Sequence, residues 1–179
     1  MYIINESPLL ANIFKSKCRL VNIDVFSTKG LLYYYKVNQN KISVSPRPNA
    51  IKNINFLKNL YKSGEEVVIA SDYDSTGELI ALEILNLIPN AKRLQIPFDD
   101  LLKHNSLTSE KINRYVDNKY NVELATLYIR EITRDIDIYK KRNNIFAEII
   151  QNNIESIIVP KENKKWNYIY CHIIIMKIT

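Results

Sequence analysis

Three acidic side chains stand where catalysis is commonly built. Glu6 follows a short apolar run, Met1–Ile4, and is itself followed by Ser7-Pro8. Asp72 and Asp74 follow Val67-Val68-Ile69-Ala70-Ser71 and precede Gly77-Glu78 and an apolar helical segment. A short β-branched run reads as a buried parallel strand, and an open α/β sheet does its chemistry just outside the carboxyl ends of such strands. Two carboxylates one residue apart at such an end can share a hard cation such as Mg²⁺, which takes one or two carboxylates and keeps several waters. Glu6 converges on them if the first strand lies beside the later one, and its carboxyl would then suit proton transfer at a phosphodiester. On the residues alone a plainer role also fits: Asp72 and Asp74 can end a strand and favour the positive end of the next helix. Ser75 and Glu78 match a capping box, so they are expected as a structural cap and not as ligands.

The elements that must position these groups alternate. A strand at residues 1–4 precedes a helix opened by Ser7 and Pro8, and residues 19–27 alternate as a strand. Residues 31–37 and 41–45 form a hairpin around Asn38-Gln39-Asn40. A helix follows over 50–62, with Ile51, Ile54, Leu57, Leu60 and Tyr61 inward. Then come the strand at Val67, an almost uniformly apolar helix to Pro89, and a strand over 93–98. Strand–helix alternation implies an α/β fold: a mostly parallel sheet with helices on both faces. The composition changes from Asp99, dividing the chain into an α/β domain at 1–98 and a helical extension at 99–179. Helices are expected over 106–116, 122–142 and 145–154, and a terminal strand over 166–178.

The totals set limits. A net charge of +6 tolerates an anionic partner without requiring one. Cys18 and Cys171 lie far apart without a CxxC or a histidine at ligand spacing, which argues against zinc and against a disulfide framework. No apolar run approaches the roughly 20 residues of a membrane span, and no basic segment leads into an apolar signal core, so a cytoplasmic protein is expected. Tyr33-Tyr34-Tyr35 is expected on a strand with alternate members buried, as packing or at most a base-stacking surface.

Asn5-Glu6-Ser7-Pro8 and the later Ser71-Asp72-Tyr73-Asp74-Ser75-Thr76-Gly77-Glu78 together resemble the Toprim domain of type IA DNA topoisomerases. In that family the first strand ends in Glu-Ser-Pro and a later one in Thr-Asp-x-Asp-x-x-Gly-Glu. The resemblance implies Mg²⁺ at Asp72 and Asp74, with Glu6 beside the site of strand cleavage. It implies DNA as partner, single-stranded for preference. More faintly, Ile96-Pro97-Phe98-Asp99-Asp100 resembles the family's exit from the sheet, and the helix carrying Arg130 and Arg134 resembles one whose arginines lie near DNA. Departures are clear: Ser75-Thr76 replace the family's Arg-Glu, Leu9-Leu10 its basic residue, and Gly30-Leu31 its Gly-His. None of the 12 tyrosines matches the family's nucleophile, which lies in a separate domain. The resemblance therefore implies a truncated or diverged relative that a partner chain carrying the tyrosine would complete. The alternatives are a Mg²⁺-dependent nuclease and a non-catalytic DNA- or protein-interaction module with a vestigial metal site.

Overall fold

The computed structural model describes residues 1–18, 22–38, 41–117 and 119–132. Four parallel strands make the sheet: β1 (Tyr2–Asn5), β2 (Asp24–Ser27), β5 (Val67–Ile69) and β6 (Lys92–Arg93), in the order β2-β1-β5-β6. Strands β1 and β5 are central, pairing Tyr2 with Val67 and Ile4 with Ile69. Successive side chains of a strand take opposite faces, and this alternation splits the core in two. Ile3, Val68 and Ala70 pack with Phe14, Leu94, Leu101 and Ile112 on one side. Ile4, Val67 and Ile69 pack with Leu57, Leu79, Ile80 and Ile84 on the other.

Helix α1 (Pro8–Lys17) covers the first face, with α4 (Phe98–Lys103) and α5 (Ser109–Arg114). The Ser7 hydroxyl accepts from the Leu9 N–H at 3.2 Å and Pro8 supplies the preset first turn, as the sequence suggests. The second face carries α2 (Ile51–Lys62), α3 (Ser75–Leu87) and α6 (Val122–Ile132), the last lying along α3 through Ala125 and Ile129. Residues 99–132 thus pack into the same two cores as residues 1–98. A separate antiparallel hairpin, β3 (Tyr33–Asn38) and β4 (Lys41–Pro46), lies between β2 and α2 in chain order.

Several boundaries differ from the sequence pattern. In α2 only Ile54, Leu57 and Leu60 are buried, whereas Ile51 and Tyr61 are 49% and 45% exposed. A 12-residue helix is about 18 Å long and strands of three or four residues about 10–13 Å, so its ends outrun the core. The last strand holds two residues where 93–98 suggests six; Leu94 makes one further bridge to Val116, and Pro97 has no N–H to continue the ladder. The helix expected over 106–116 is confined to Ser109–Arg114, capped by the Thr108 hydroxyl. The expected helix at 145–154, the terminal strand at 166–178, Cys171 and Arg134 lie outside the described residues. Among those described, no helix is long and apolar enough to cross a membrane.

Candidate active site at the ends of the central strands

Parallel pairing of β1 with β5 continues past the end of β5, the Ala70 N–H donating to the Ile4 carbonyl at 2.7 Å. Glu6 and Asp72 therefore leave neighbouring strand ends. Glu6 is half-buried, and its Oε2 is enclosed with no hydrogen-bond partner. Burial lifts its carboxyl pKa to about 7; the charge of Asp72, a hydrogen bond with the Asp72 carboxyl and the charge of Asp74 add to the lift, against a weaker pull from the Asp72 backbone. The three acids are thus close enough to feel one another. Asp72 and Asp74 are both exposed to water.

The loop that presents the aspartates is fixed from three sides. Asp74 is the N-cap of α3, its Oδ1 accepting from the Gly77 N–H at 2.7 Å. This corrects the capping-box expectation: Ser75 is the first residue inside the helix and Glu78 does not reach back. An ionised carboxylate accepts an N–H more strongly than a hydroxyl, so the cap moves to Asp74. The Ser71 hydroxyl donates to the Gly77 carbonyl at 2.8 Å. A Cβ on Gly77 would stand 2.3 Å from the Asp72 carbonyl oxygen, so only glycine lets the helix approach this loop.

The third support is Arg93, fully enclosed. It donates to the carbonyls of Ser71 at 2.8 Å and Asp72 at 3.1 Å, and pairs with Glu78 at 3.1 Å. Its guanidinium also lies 5.3 Å from the centre of the half-exposed Tyr73 ring. Glu78, 2% exposed, accepts in addition from the Asn121 N–H at 3.0 Å, tying the start of α6 to the clamp. Glu78 is structural, through an ion pair instead of a cap. Sequence reading missed Arg93, although a signal existed. A helix that is apolar nearly all round and carries Glu78 and Glu83 must bury charges, and a buried carboxylate demands a donor.

Beside Asp72 and Tyr73 opens a cleft of about 230 Å³ lined largely by apolar groups, among them Leu10, Phe14, Ile96 and Phe98. Asp99 and Asp100 fall in the first turn of α4, and Asp100 pairs with Lys103 at 3.0 Å. Arg130 belongs to α6.

Among the described residues no three His, Cys, Asp or Glu side chains form a ready metal cage. Two water-exposed aspartates beside an enclosed, unpartnered Glu6 oxygen nevertheless fit a Mg²⁺ ion that retains much of its water shell. The charges of Asp72 and Asp74 add to the lift that burial gives Glu6, and a cation relieves that repulsion.

A family model, Toprim domain, matches residues 9–98. Among solved structures the chain is similar to full-length topoisomerase I from Thermotoga maritima, at 26% identity and a TM-score of 0.54. The likeness covers 74% of this chain and 23% of that one, so the chain spans about a quarter of its relative's length. No curated protein matches the chain.

Proposed function

Because the chain belongs to the Toprim family and is related to type IA topoisomerases, we propose that it binds Mg²⁺ at Asp72 and Asp74 and acts on DNA strands there, single-stranded for preference. The observation that carries this is the convergence of Glu6 with Asp72 and Asp74 at adjacent strand ends, where burial first, and the two aspartate charges after it, lift the Glu6 carboxyl to about 7. Mg²⁺, when bound, would neutralise charge that develops on a phosphodiester. Asp72 and Asp74, open to water, are the residues to hold it. Glu6, whose carboxyl is lifted to about 7, can both hold and release a proton near neutral pH, and so can give one to the oxygen leaving phosphorus and take it back when the bond is remade. The Arg93 bonds and the Gly77 contact keep the Asp72 backbone from moving as charge changes. The attacking group is proposed to come from elsewhere, a tyrosine on a partner chain, since none here matches that role. Arg130, in the helix Val122–Ile132, and Arg134 are proposed to approach DNA phosphates.

The test pairs calorimetry with cleavage. Mg²⁺ titration should show binding that Asp72→Asn abolishes. Asp74→Asn should weaken it while preserving the cap, because an amide oxygen still accepts the Gly77 N–H. Glu6→Gln should leave Mg²⁺ binding intact and lower any strand cleavage by about 10²–10⁴-fold. A protein–DNA adduct surviving denaturant, once a tyrosine-bearing partner is added, supports the topoisomerase chemistry. Free ends without an adduct select hydrolysis. Unchanged Mg²⁺ binding in both aspartate variants overturns the metal assignment.

A further inference from the structure

Charge in this chain is divided more sharply than its total shows. Between Asp24 and Glu65 stand seven lysines and arginines and not one aspartate or glutamate. That stretch is the β3–β4 hairpin, the short 3₁₀ turn Pro48–Ala50 and α2. Lys52, Lys58 and Lys62 are all exposed on α2, and with Asn55 and Asn59 they share one side of it at 100° per residue. None of the three enters an ion pair among the described residues.

The hairpin adds an aromatic element. Pairing of Tyr34 with Ser45 and of Lys36 with Ser43 puts these four side chains on one face, opposite the buried Tyr35. The Tyr34 ring is 43% exposed, and the Arg47 guanidinium lies 4.7 Å from its centre. Arg47 is held there by its own Nε, which donates to the Tyr33 carbonyl at 3.2 Å. The hairpin is anchored at its base: the Gly30 N–H bonds the Glu6 carbonyl at 3.0 Å, and Glu83 of α3 accepts from the Leu32 N–H at 2.7 Å and the Tyr35 hydroxyl at 2.8 Å.

We propose that the hairpin face and α2 form a single-stranded nucleic-acid track, with a base stacked at Tyr34–Arg47 and the phosphates followed by Lys36, Lys52, Lys58 and Lys62. A lysine-rich helix side and hairpin face that carry no acid of their own attract a polyanion whatever its sequence. A partly exposed tyrosine with a cation beside it offers the stacking platform that unpaired bases use and duplex DNA, with its bases already stacked, does not. The serines opposite Tyr34 and Lys36 are small and leave the platform open. The track supplies the strand for the metal-site reading above but does not rest on it, since it involves none of the acidic residues.

The test is fluorescence anisotropy of a labelled oligothymidylate in EDTA, which removes any contribution from a metal, across a salt series. The full chain should bind, with log K falling linearly in log salt. Lys52→Gln/Lys58→Gln/Lys62→Gln should make that slope shallower by about 2. Tyr34→Leu should weaken binding by about tenfold with the slope unchanged. All four positions are exposed, and unchanged circular dichroism and melting temperature exclude misfolding. Asp72→Asn should bind in EDTA at least as well as the parent chain, so failure of the metal reading and failure of the track are told apart. No binding at low salt overturns the track, as do variants that bind like the parent. Binding of phosphatidylserine vesicles but not the oligonucleotide overturns it in favour of a membrane surface.

Discussion

Glu83 makes the stability of this fold depend on pH in a direction opposite to that of most carboxylates. Its carboxyl is 3% exposed in the middle of α3, and burial lifts its pKa to about 7. The Leu32 N–H, the Tyr35 hydroxyl, the Tyr33 backbone and the charge of Arg47 face it and pull the value down, without cancelling the burial. Below pH 4.5 both the folded and the unfolded chain hold this proton, and its contribution to stability is complete. Between 4.5 and about 7 the unfolded chain releases the proton and the folded chain keeps it, so stability falls as pH rises; above 7 the loss levels off. At about 1.4 kcal/mol for each pH unit, the full loss is about 3 kcal/mol. Glu83→Gln keeps the size and an acceptor for Leu32 but has no proton to lose. Urea denaturation at pH 5 and pH 8 should therefore show the stability of the parent chain, relative to Glu83→Gln, dropping by about 2–3 kcal/mol. Glu6 titrates in the same window and contributes to the parent's absolute curve, but it is present in both proteins and cancels in the difference. A difference that stays constant between the two pH values would refute the claim that the hairpin is latched to the helix through a carboxyl kept neutral by burial.

Two further perturbations address the loop that carries the aspartates. Gly77→Ala forces the Asp72 carbonyl away from a Cβ that would sit 2.3 Å from it; a loss of about 1–3 kcal/mol in urea denaturation and a Mg²⁺ affinity at least tenfold weaker by calorimetry are expected. Arg93→Met leaves Glu78 buried without its counter-charge, which should cost about 3–5 kcal/mol. Adding Glu78→Gln should recover more than 1 kcal/mol of that, and a fully additive pair would show that the two charges do not depend on each other.

How much of this was legible beforehand follows the range of each interaction. The first helix start, the hairpin and the buried central strands are local patterns, and Ser7-Pro8, the alternation in Tyr33–Lys36 and Val67-Val68-Ile69 disclose them within a few residues. The approach of Glu6 to Asp72 is not local, yet two apolar runs each ending in an acid imply it once the sheet is taken as parallel. What escaped depends on which of two adequate residues wins a contact. Ser75 and Asp74 are both good N-caps, and the choice is made by the Gly77 N–H meeting a carboxylate. Arg93 reads as the polar start of a strand, and only its meeting with Glu78 and two carbonyls reveals the clamp. The charge division escaped for another reason: a net charge of +6 over the whole chain averages the acid-free stretch with the acidic strand ends.

Helix α3 connects these separate features mechanically. Asp74 caps it at the acidic site, Glu78 anchors the Arg93 clamp one turn on, and Glu83 latches the hairpin further along. Nine residues separate Asp74 from Glu83, a rise of about 14 Å along a rigid axis. A helix packed on nearly every side, with nine consecutive buried residues from Gly77 to Leu85, cannot change that spacing without opening both halves of the fold. The distance between the carboxylates and the aromatic-basic hairpin is therefore a property of the core. Each of the two buried acids thus converts the helix from a spacer into an attachment point, Glu78 for the loop that carries the aspartates and Glu83 for the hairpin proposed to guide a strand toward it.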